Sequence, residues 1–170
     1  MPLADTLLRL AAGPRLYLPK WADQIMVEVT RTLQENFGLS PKKAMYRESE
    51  IRRQFPQPTI DGYEDLIPGM TNHPKDRHVL AAAARAGVKV IVTYNLKDFP
   101  SSSLTPYGIT AQGPSAFLKS LHDMAPPAVM QTLETQAAAI GQPMNYLLSR
   151  LRVNAPAFVA MIEKTMNRHE

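Results

Sequence analysis

Two aspartates at the ends of predicted structural elements are the residues of this sequence best placed to do chemistry. Asp76 precedes the alanine-rich run at residues 77–86, and Asp98 follows the apolar run at residues 88–94, which has the composition of a strand buried on both faces. This order of elements places the two carboxylates at neighbouring ends of packed elements, and Asp98 lies beyond the carboxyl end of the strand, where ligands of open α/β sheets bind. Such a pair is suited to hold a hard divalent cation, Mg²⁺ or Mn²⁺, at a phosphodiester.

Each aspartate also has a purely structural interpretation. An aspartate before a helical run is a good N-cap, since it accepts a backbone N–H and interacts favourably with the helix dipole. Asp98 can form a turn or cap the segment that follows it. For Asp76 the two roles are compatible, because an N-cap carboxylate keeps a second oxygen free.

Other polar residues accompany the two acids. Thr93 and Asn95 lie between the predicted strand and Asp98, where they could hold a metal's water or a carboxylate through hydrogen bonds. Glu28 lies in a predicted amphipathic helix at residues 21–37, about 20° from Trp21 on a helical wheel and thus at the rim of the apolar stripe. A partly exposed glutamate without function is the alternative. The stripe consists of Trp21, Ile25, Val29 and Leu33.

The histidines and the basic residues give weaker signals. His73 and His78 flank Asp76 but lack the i, i+4 spacing of a helical zinc site, so we interpret them as a loop residue and an ordinary helix-face residue. A charged helix predicted at residues 42–55 presents a basic face, usually a solvated surface and alternatively a contact for RNA. Its members are Lys42, Lys43, Arg47, Arg52 and Arg53.

Composition limits the class of protein. The 170 residues are 45% hydrophobic and 20% charged, as in one globular domain rather than a disordered chain. The net charge of +4 is compatible with nucleic acid without requiring it. The absence of cysteine excludes disulfides, thiolate metal sites and a cysteine nucleophile, and it fits a cytoplasmic protein. We expect neither a signal peptide nor a membrane span, which needs about 20 apolar residues.

The remaining patterns predict a mostly helical chain. Gly13-Pro14 ends a first helix, and Ser40-Pro41 is a strong signal for the start of another, with serine as N-cap and proline at the first helical position. A short edge strand is expected at residues 109–111. The first helix is expected at residues 3–12, and further helices are expected at residues 63–70, 76–86, 115–124, 127–140, 144–151 and 155–168.

The motifs resemble a known family. The segments DRHVLAAA at residues 76–83 and IVTYNLKDFP at residues 91–100 look like a bacterial PIN domain of the VapC-like nucleases. The segment WADQIMVE at residues 21–28 is similar to the family's helix that bears an acid. The resemblance implies an α/β fold with three α/β/α layers and a short parallel sheet. It implies a PIN-like domain at residues 1–120 and a helical extension at residues 121–170 packed on it.

The resemblance also implies a function. Glu28, Asp76 and Asp98 would be the catalytic acids and metal ligands, Thr93 and Asn95 would support them, and Mg²⁺ or Mn²⁺ would serve RNA hydrolysis. Many such proteins are toxins neutralised by a small antitoxin protein, and many form homodimers. A PIN-like scaffold that binds RNA or protein without cutting is the alternative, and a nuclease directed at DNA would use the same acids.

One part of the family pattern has no counterpart here. The family begins with a strand that ends in an aspartate, whereas this sequence begins MPLAD, which resembles the helix after that strand. Asp5 belongs to that helix and is no obvious replacement. A start codon placed too late, a truncated chain or a degenerate protein would each explain this. We therefore expect weak metal affinity and low or absent activity of this chain, and RNA cleavage by a version with an upstream aspartate.

Overall fold

The computed structural model describes residues 2–56 and 59–167, and within these residues the chain forms nine α-helices and one small sheet. Short 3₁₀ segments lie at Glu64–Gly69, Pro74–Asp76, Leu96–Asp98 and Thr105–Tyr107. The helices and strands are α1 (Pro2–Ala12), α2 (Asp23–Glu35), α3 (Pro41–Gln54), α4 (Arg77–Arg85), β1 (Val90–Val92), α5 (Ser101–Leu104), β2 (Thr110–Gln112), α6 (Pro114–Met124), α7 (Pro126–Ala139), α8 (Met144–Arg152) and α9 (Pro156–Met166).

The sheet consists of β1 and β2, which pair in parallel. The Thr110 N–H donates to the Lys89 carbonyl and the Thr93 N–H donates to the Gln112 carbonyl, each at 2.9 Å. Only Ile91 of β1 is buried, and Val92 is 37% exposed. The strand expected over residues 88–94 thus exists but is shorter, and its predicted burial on both faces is wrong, because β1 has three residues and one neighbouring strand among the residues that the structure describes.

Contacts divide the described residues into two compact units, which alternate along the chain. The helical unit comprises residues 2–18, 92–96 and 112–167, and the mixed unit comprises residues 19–56, 59–91 and 97–111. The division of the sequence at about residue 120 stays a prediction.

The helical unit is built by packing α1 against α7 and α8, and α6 against α7 and α9. Its core is apolar and includes Leu10, Leu118, Leu133 and Phe158, all fully buried. Because apolar residues recur on one face of each helix, burial of those faces supplies the main driving force for this unit.

The mixed unit places α4 at the centre of its core. Leu80, Ala81 and Ala82 of α4 are buried together with Ile91 of β1 and Phe99, so the alanine-rich run allows close packing of the helix. Gly87 follows α4 with a φ of 61°, the left-handed conformation that glycine adopts without strain at a helix end. The core therefore fixes both α4 and the segment after β1.

The predicted fold class is confirmed. The chain is mostly helical with a short parallel sheet and with helices at its C-terminal side, which is consistent with a PIN-like α/β/α fold. Ser40 caps α3 through a hydrogen bond from the Lys43 N–H at 3.4 Å, with Pro41 as its first residue, as predicted. The last helix was expected to reach Arg168, which lies outside the described residues.

None of the helices within residues 2–56 and 59–167 is long and apolar enough to cross a lipid bilayer.

Candidate metal centre

Asp76 lies where a 3₁₀ turn becomes α4. His73 begins this turn, Pro74 is its first residue, and the Asp76 N–H donates to the His73 carbonyl at 2.9 Å. Asp76 is the N-cap residue of α4, as predicted, but its side chain makes no capping hydrogen bond. The structural role proposed for its carboxylate is therefore not realised, and both oxygens remain available to a ligand.

Asp98 ends a second 3₁₀ turn, directly before the buried ring of Phe99. It does not cap the next helix, because α5 begins at Ser101 with Pro100 as its N-cap residue. Its carbonyl accepts a hydrogen bond from the His73 N–H at 3.1 Å. This backbone bond ties the segment before α4 to the segment after β1, and so brings two distant parts of the sequence together.

Asp76, Asp98 and His73 form one group of potential metal ligands. Each offers one ligand atom, and these atoms lie within 4.8 Å of one another. His73 is exposed and the two aspartates are partly buried, so the group is open to solvent on one side. Among the residues that the structure describes, neither carboxylate accepts a hydrogen bond. The structure thus joins the two acids singled out in the sequence.

The group fits a divalent cation on two grounds. Two carboxylate oxygens without hydrogen-bond donors are hard ligands, and their separation allows them to share one ion. The neighbouring Asn72 is 2% exposed, yet neither polar atom of its amide has a hydrogen-bond partner. Buried amides without partners are rare, and a bound water, an ion or a catalytic role can account for them.

His73 is the member of this group that sequence reasoning missed. His73 and His78 are five residues apart and lack the spacing of a helical zinc site, so the pattern indicated no metal ligand. The available signal was the position of His73 three residues before Asp76, across Pro74, which is where a single turn brings two side chains together.

Glu28 lies at the rim of α2, partly exposed as expected, and contacts a different residue. Its Oε1 is 3.2 Å from Nε2 of His78, whose side chain is 8% exposed, although that nitrogen makes no geometrically sound hydrogen bond. His78 lies on α4, as interpreted, and its side chain is buried within the mixed unit. Glu28 is not a member of the group around Asp76, and its role as a metal ligand stays a prediction.

Thr93 and Asn95 form a local turn after β1. The Thr93 hydroxyl oxygen accepts the Asn95 N–H at 3.1 Å, a common way for threonine to stabilise a turn. Both residues belong to the helical unit by contact, whereas the two aspartates belong to the mixed unit. Their supporting role at the metal centre stays a prediction.

The basic face of α3 is partly neutralised. Arg52 lies 2.9 Å from carboxylate oxygens of both Glu48 and Asp23, and the hydrogen bond from Arg52 to Glu48 is the largest of the effects that raise the pKa of the guanidinium. Arg53 pairs with Glu50, and this hydrogen bond lowers the pKa of the Glu50 carboxyl. Of the five cations on this face of α3, three are exposed and have no ion pair among the described residues: Lys42, Lys43 and Arg47.

Several carboxylates lie close enough to Tyr63 in the mixed unit to act on its hydroxyl. Burial raises the pKa of the Tyr63 hydroxyl, and the negative charges of nearby carboxylates raise it further. Those carboxylates belong, in decreasing order of effect, to Glu64, Asp23, Asp61 and Glu28.

Comparison with known proteins gives one relative. No protein-family model matches the sequence, and no solved structure matches it. The chain is 44% identical over 102 residues to a protein of Mycobacterium tuberculosis (strain ATCC 25618 / H37Rv) named "Putative ribonuclease VapC50". The alignment covers 58% of this chain and 60% of that protein, so the chain spans about three fifths of the relative's length. This similarity supports the VapC-like family that the segments around Asp76 and Asp98 resemble.

Proposed function

We propose that this protein is a metal-dependent endoribonuclease of the PIN type and the toxin of a toxin–antitoxin pair. The observation that carries the proposal is the convergence of Asp76 and Asp98, two carboxylates distant in sequence that accept no hydrogen bond from the described part of the chain. The name of the M. tuberculosis relative, which contains the words ribonuclease and VapC, supports the same reaction class.

Asp76 and Asp98 would hold the cation, Mg²⁺ or Mn²⁺. When bound, the cation would activate water and neutralise the charge that develops on the scissile phosphate. The protein's own contribution is positioning. The backbone hydrogen bond between His73 and Asp98 fixes the distance between the two segments, and the buried Phe99 anchors the turn. The partial positive charge at the N-terminus of α4 offsets part of the repulsion between the carboxylates.

The other site residues complete the proposal. Glu28 would be a third acid, and Thr93 and Asn95 would orient water or carboxylates by hydrogen bonds. The proposal of Glu28 rests on the resemblance, since among the described residues its carboxylate contacts His78 and lies outside the group around Asp76. A PIN-like domain at residues 1–120 would carry the site, with residues 121–170 as its helical extension.

The proposed partners follow from the resemblance and from charge. The substrate is RNA, and the exposed Lys42, Lys43 and Arg47 of α3 are cations that could contact its phosphates. A small antitoxin protein would block the site, and a homodimer is the proposed assembly. The proposed location is the cytoplasm, because the RNA substrate is found there and because a sequence without cysteine fits a reducing compartment.

The test is cleavage of a labelled single-stranded RNA by the natural whole protein, with Mn²⁺, with Mg²⁺ and with EDTA. We expect cleavage that depends on the metal. Loss of an outer-shell partner already costs about 10- to 100-fold in metal affinity or activity, so Asp76→Asn or Asp98→Asn should reduce the rate by at least about 100-fold.

The matched control is Asp65→Asn, which removes an exposed acid of the same unit outside the metal group. This variant should cleave at the wild-type rate. Binding of RNA without cleavage, unaffected by either site variant, would instead support a non-catalytic scaffold. Equal cleavage of single-stranded DNA would assign the activity to a nuclease that does not distinguish the two nucleic acids.

A further inference from the structure

The metal centre contains a nitrogen donor as well as oxygens. His73 lies in the same group as the two aspartates, and its Nδ1 is 3.9 Å from Oδ2 of Asp76. We propose that His73 is a direct ligand and that the centre therefore selects a first-row transition ion such as Mn²⁺ over Mg²⁺. This inference rests on the proposed function, because it assumes a cation between Asp76 and Asp98.

The hydrogen bond at Nδ1 of His73 is weak enough to be replaced by a metal bond. Nδ1 accepts the Lys75 N–H at 3.4 Å, and the lone pair that accepts this bond is the one that a metal ion would take. A bond of that length is at the weak end of the range and is easily exchanged for a metal bond. The lone pair and the Asp76 carboxylate are two electron-rich groups on one side of a turn, and a cation is what stabilises such an arrangement.

The fold also fixes the backbone of His73. The His73 N–H donates to the carbonyl of Asp98, and the His73 carbonyl accepts the Asp76 N–H. Both aspartates are thus linked to His73 by main-chain hydrogen bonds, and Pro74 restricts the chain between them. A change in the position of any one ligand would move the others, which is the property of a preorganised centre.

The chemical consequence is a change in metal preference. Mg²⁺ requires a nearly ideal octahedron of oxygens and keeps much of its water, whereas imidazole suits transition ions. A site with two carboxylates alone offers Mg²⁺ and Mn²⁺ the same oxygens. Adding one imidazole favours Mn²⁺, and it would favour the later ions of the series still more.

The test uses Mn²⁺ itself as the probe, on the whole protein, without any RNA. Titration of the electron paramagnetic resonance signal of free Mn²⁺ gives the dissociation constant, and electron spin echo modulation detects nitrogen bound to Mn²⁺. We expect ¹⁴N modulation in the wild-type protein, its replacement by ¹⁵N modulation after labelling with [¹⁵N]histidine, and its absence in His73→Ala and His73→Asp.

Affinities give the second readout. Because even outer-shell changes cost about 10- to 100-fold in metal affinity, His73→Ala should weaken Mn²⁺ binding by at least about tenfold. His73→Asp restores an oxygen donor and should bind Mg²⁺ more tightly than the wild type does, so that the preference for Mn²⁺ falls. Circular dichroism verifies the fold of both variants, and His73 is exposed, so each should remain folded.

The possible failures are distinguishable. Saturable Mn²⁺ binding without nitrogen modulation, or modulation that persists in His73→Ala, would overturn the role of His73 and leave the two-aspartate centre intact. An absence of Mn²⁺ binding at millimolar concentration would overturn both this inference and the proposed function.

Discussion

Polar side chains in two regions of the molecule differ in whether they find hydrogen-bond partners within the chain. In the helical unit, Thr6 and Gln136 are nearly inaccessible, and they bond to each other at 2.7 Å. The Gln136 amide also donates to the Pro2 carbonyl at 3.1 Å. Around the metal centre, Asn72 is equally buried but bonds to nothing through its amide, and the carboxylates of Asp76 and Asp98 accept no hydrogen bond in the described chain.

The difference separates polar groups that serve the fold from polar groups that serve a ligand. A buried amide that finds partners within the chain stabilises one packing arrangement, whereas an unpaired amide costs about 1 to 3 kcal/mol. An unpaired buried group calls for an explanation, and a bound water, an ion or a catalytic role is among those available. The comparison therefore predicts opposite behaviour: substitutions in the helical unit should alter stability, and those at the metal centre should alter the response to metal.

The largest effect is expected in the core of the helical unit. Phe158 is completely buried and belongs to the cluster that joins α6 to α9. Phe158→Ala should lower the free energy of unfolding by about 3 to 5 kcal/mol, through lost burial and a residual cavity. Urea denaturation measures this change. Phe37→Ala, at a position that is 50% exposed, is the control and should cost well under 1 kcal/mol.

The second effect is a stabilisation by metal. A ligand that binds only the folded state at 100 times its dissociation constant adds about 2.7 kcal/mol, so Mn²⁺ should raise the melting temperature of the wild-type protein. Asp98→Ala should abolish this rise while leaving the melting temperature in EDTA nearly unchanged, because the carboxylate accepts no hydrogen bond in the described chain. Differential scanning calorimetry with and without Mn²⁺ checks both statements.

A melting temperature of Asp98→Ala in EDTA far below that of the wild type would contradict the statement that the carboxylates of the metal centre do not stabilise the fold. It would mean that Asp98 holds the mixed unit together and is a structural residue.

Local patterns predicted the helices better than their buried faces. The caps at Ser40-Pro41 and the glycines that end helices fixed the bounds, because they act within a single turn. In α2, however, Val29 is 38% exposed, and Met26, outside the predicted stripe, is 3% exposed. A strict four-residue repeat rotates by about 40° per step around an α-helix, so the stripe leaves the packed face.

The metal centre was only partly predictable for a related reason. Asp76 and Asp98 could be identified because each follows or precedes an element whose type is evident in the sequence. His73 could not, since its place in the group depends on a 3₁₀ turn and on a hydrogen bond to a distant carbonyl, that of Asp98. The proximity of Glu28 to His78 is likewise a tertiary contact, between α2 and α4, that no local pattern indicates.

A smaller effect would sharpen the comparison within the helical unit. Gln136→Met removes the partner of Thr6 and of the Pro2 carbonyl, and it should cost about 1 to 2 kcal/mol, the value of one or two hydrogen bonds. Gln131→Met, at an exposed position of the same helix, should change the free energy of unfolding by less than about 0.5 kcal/mol. An equal effect of the two substitutions would show that the polar contact contributes nothing.

The smallest effect concerns an exception to the comparison. His122 of α6 is 6% exposed, and neither ring nitrogen has a hydrogen-bond partner, although the residue lies in the helical unit. It belongs to no group of potential metal ligands among the described residues, so binding of a metal ion would not offset the cost of burying its unpaired nitrogens. His122→Leu, which keeps a similar volume and removes both nitrogens, should leave the free energy of unfolding unchanged or raise it by up to about 1 kcal/mol. A loss of more than 1 kcal/mol in urea denaturation would show that this imidazole has a partner in solution. The missing partners of the Asn72 amide could then not be taken as a sign of a ligand at the metal centre.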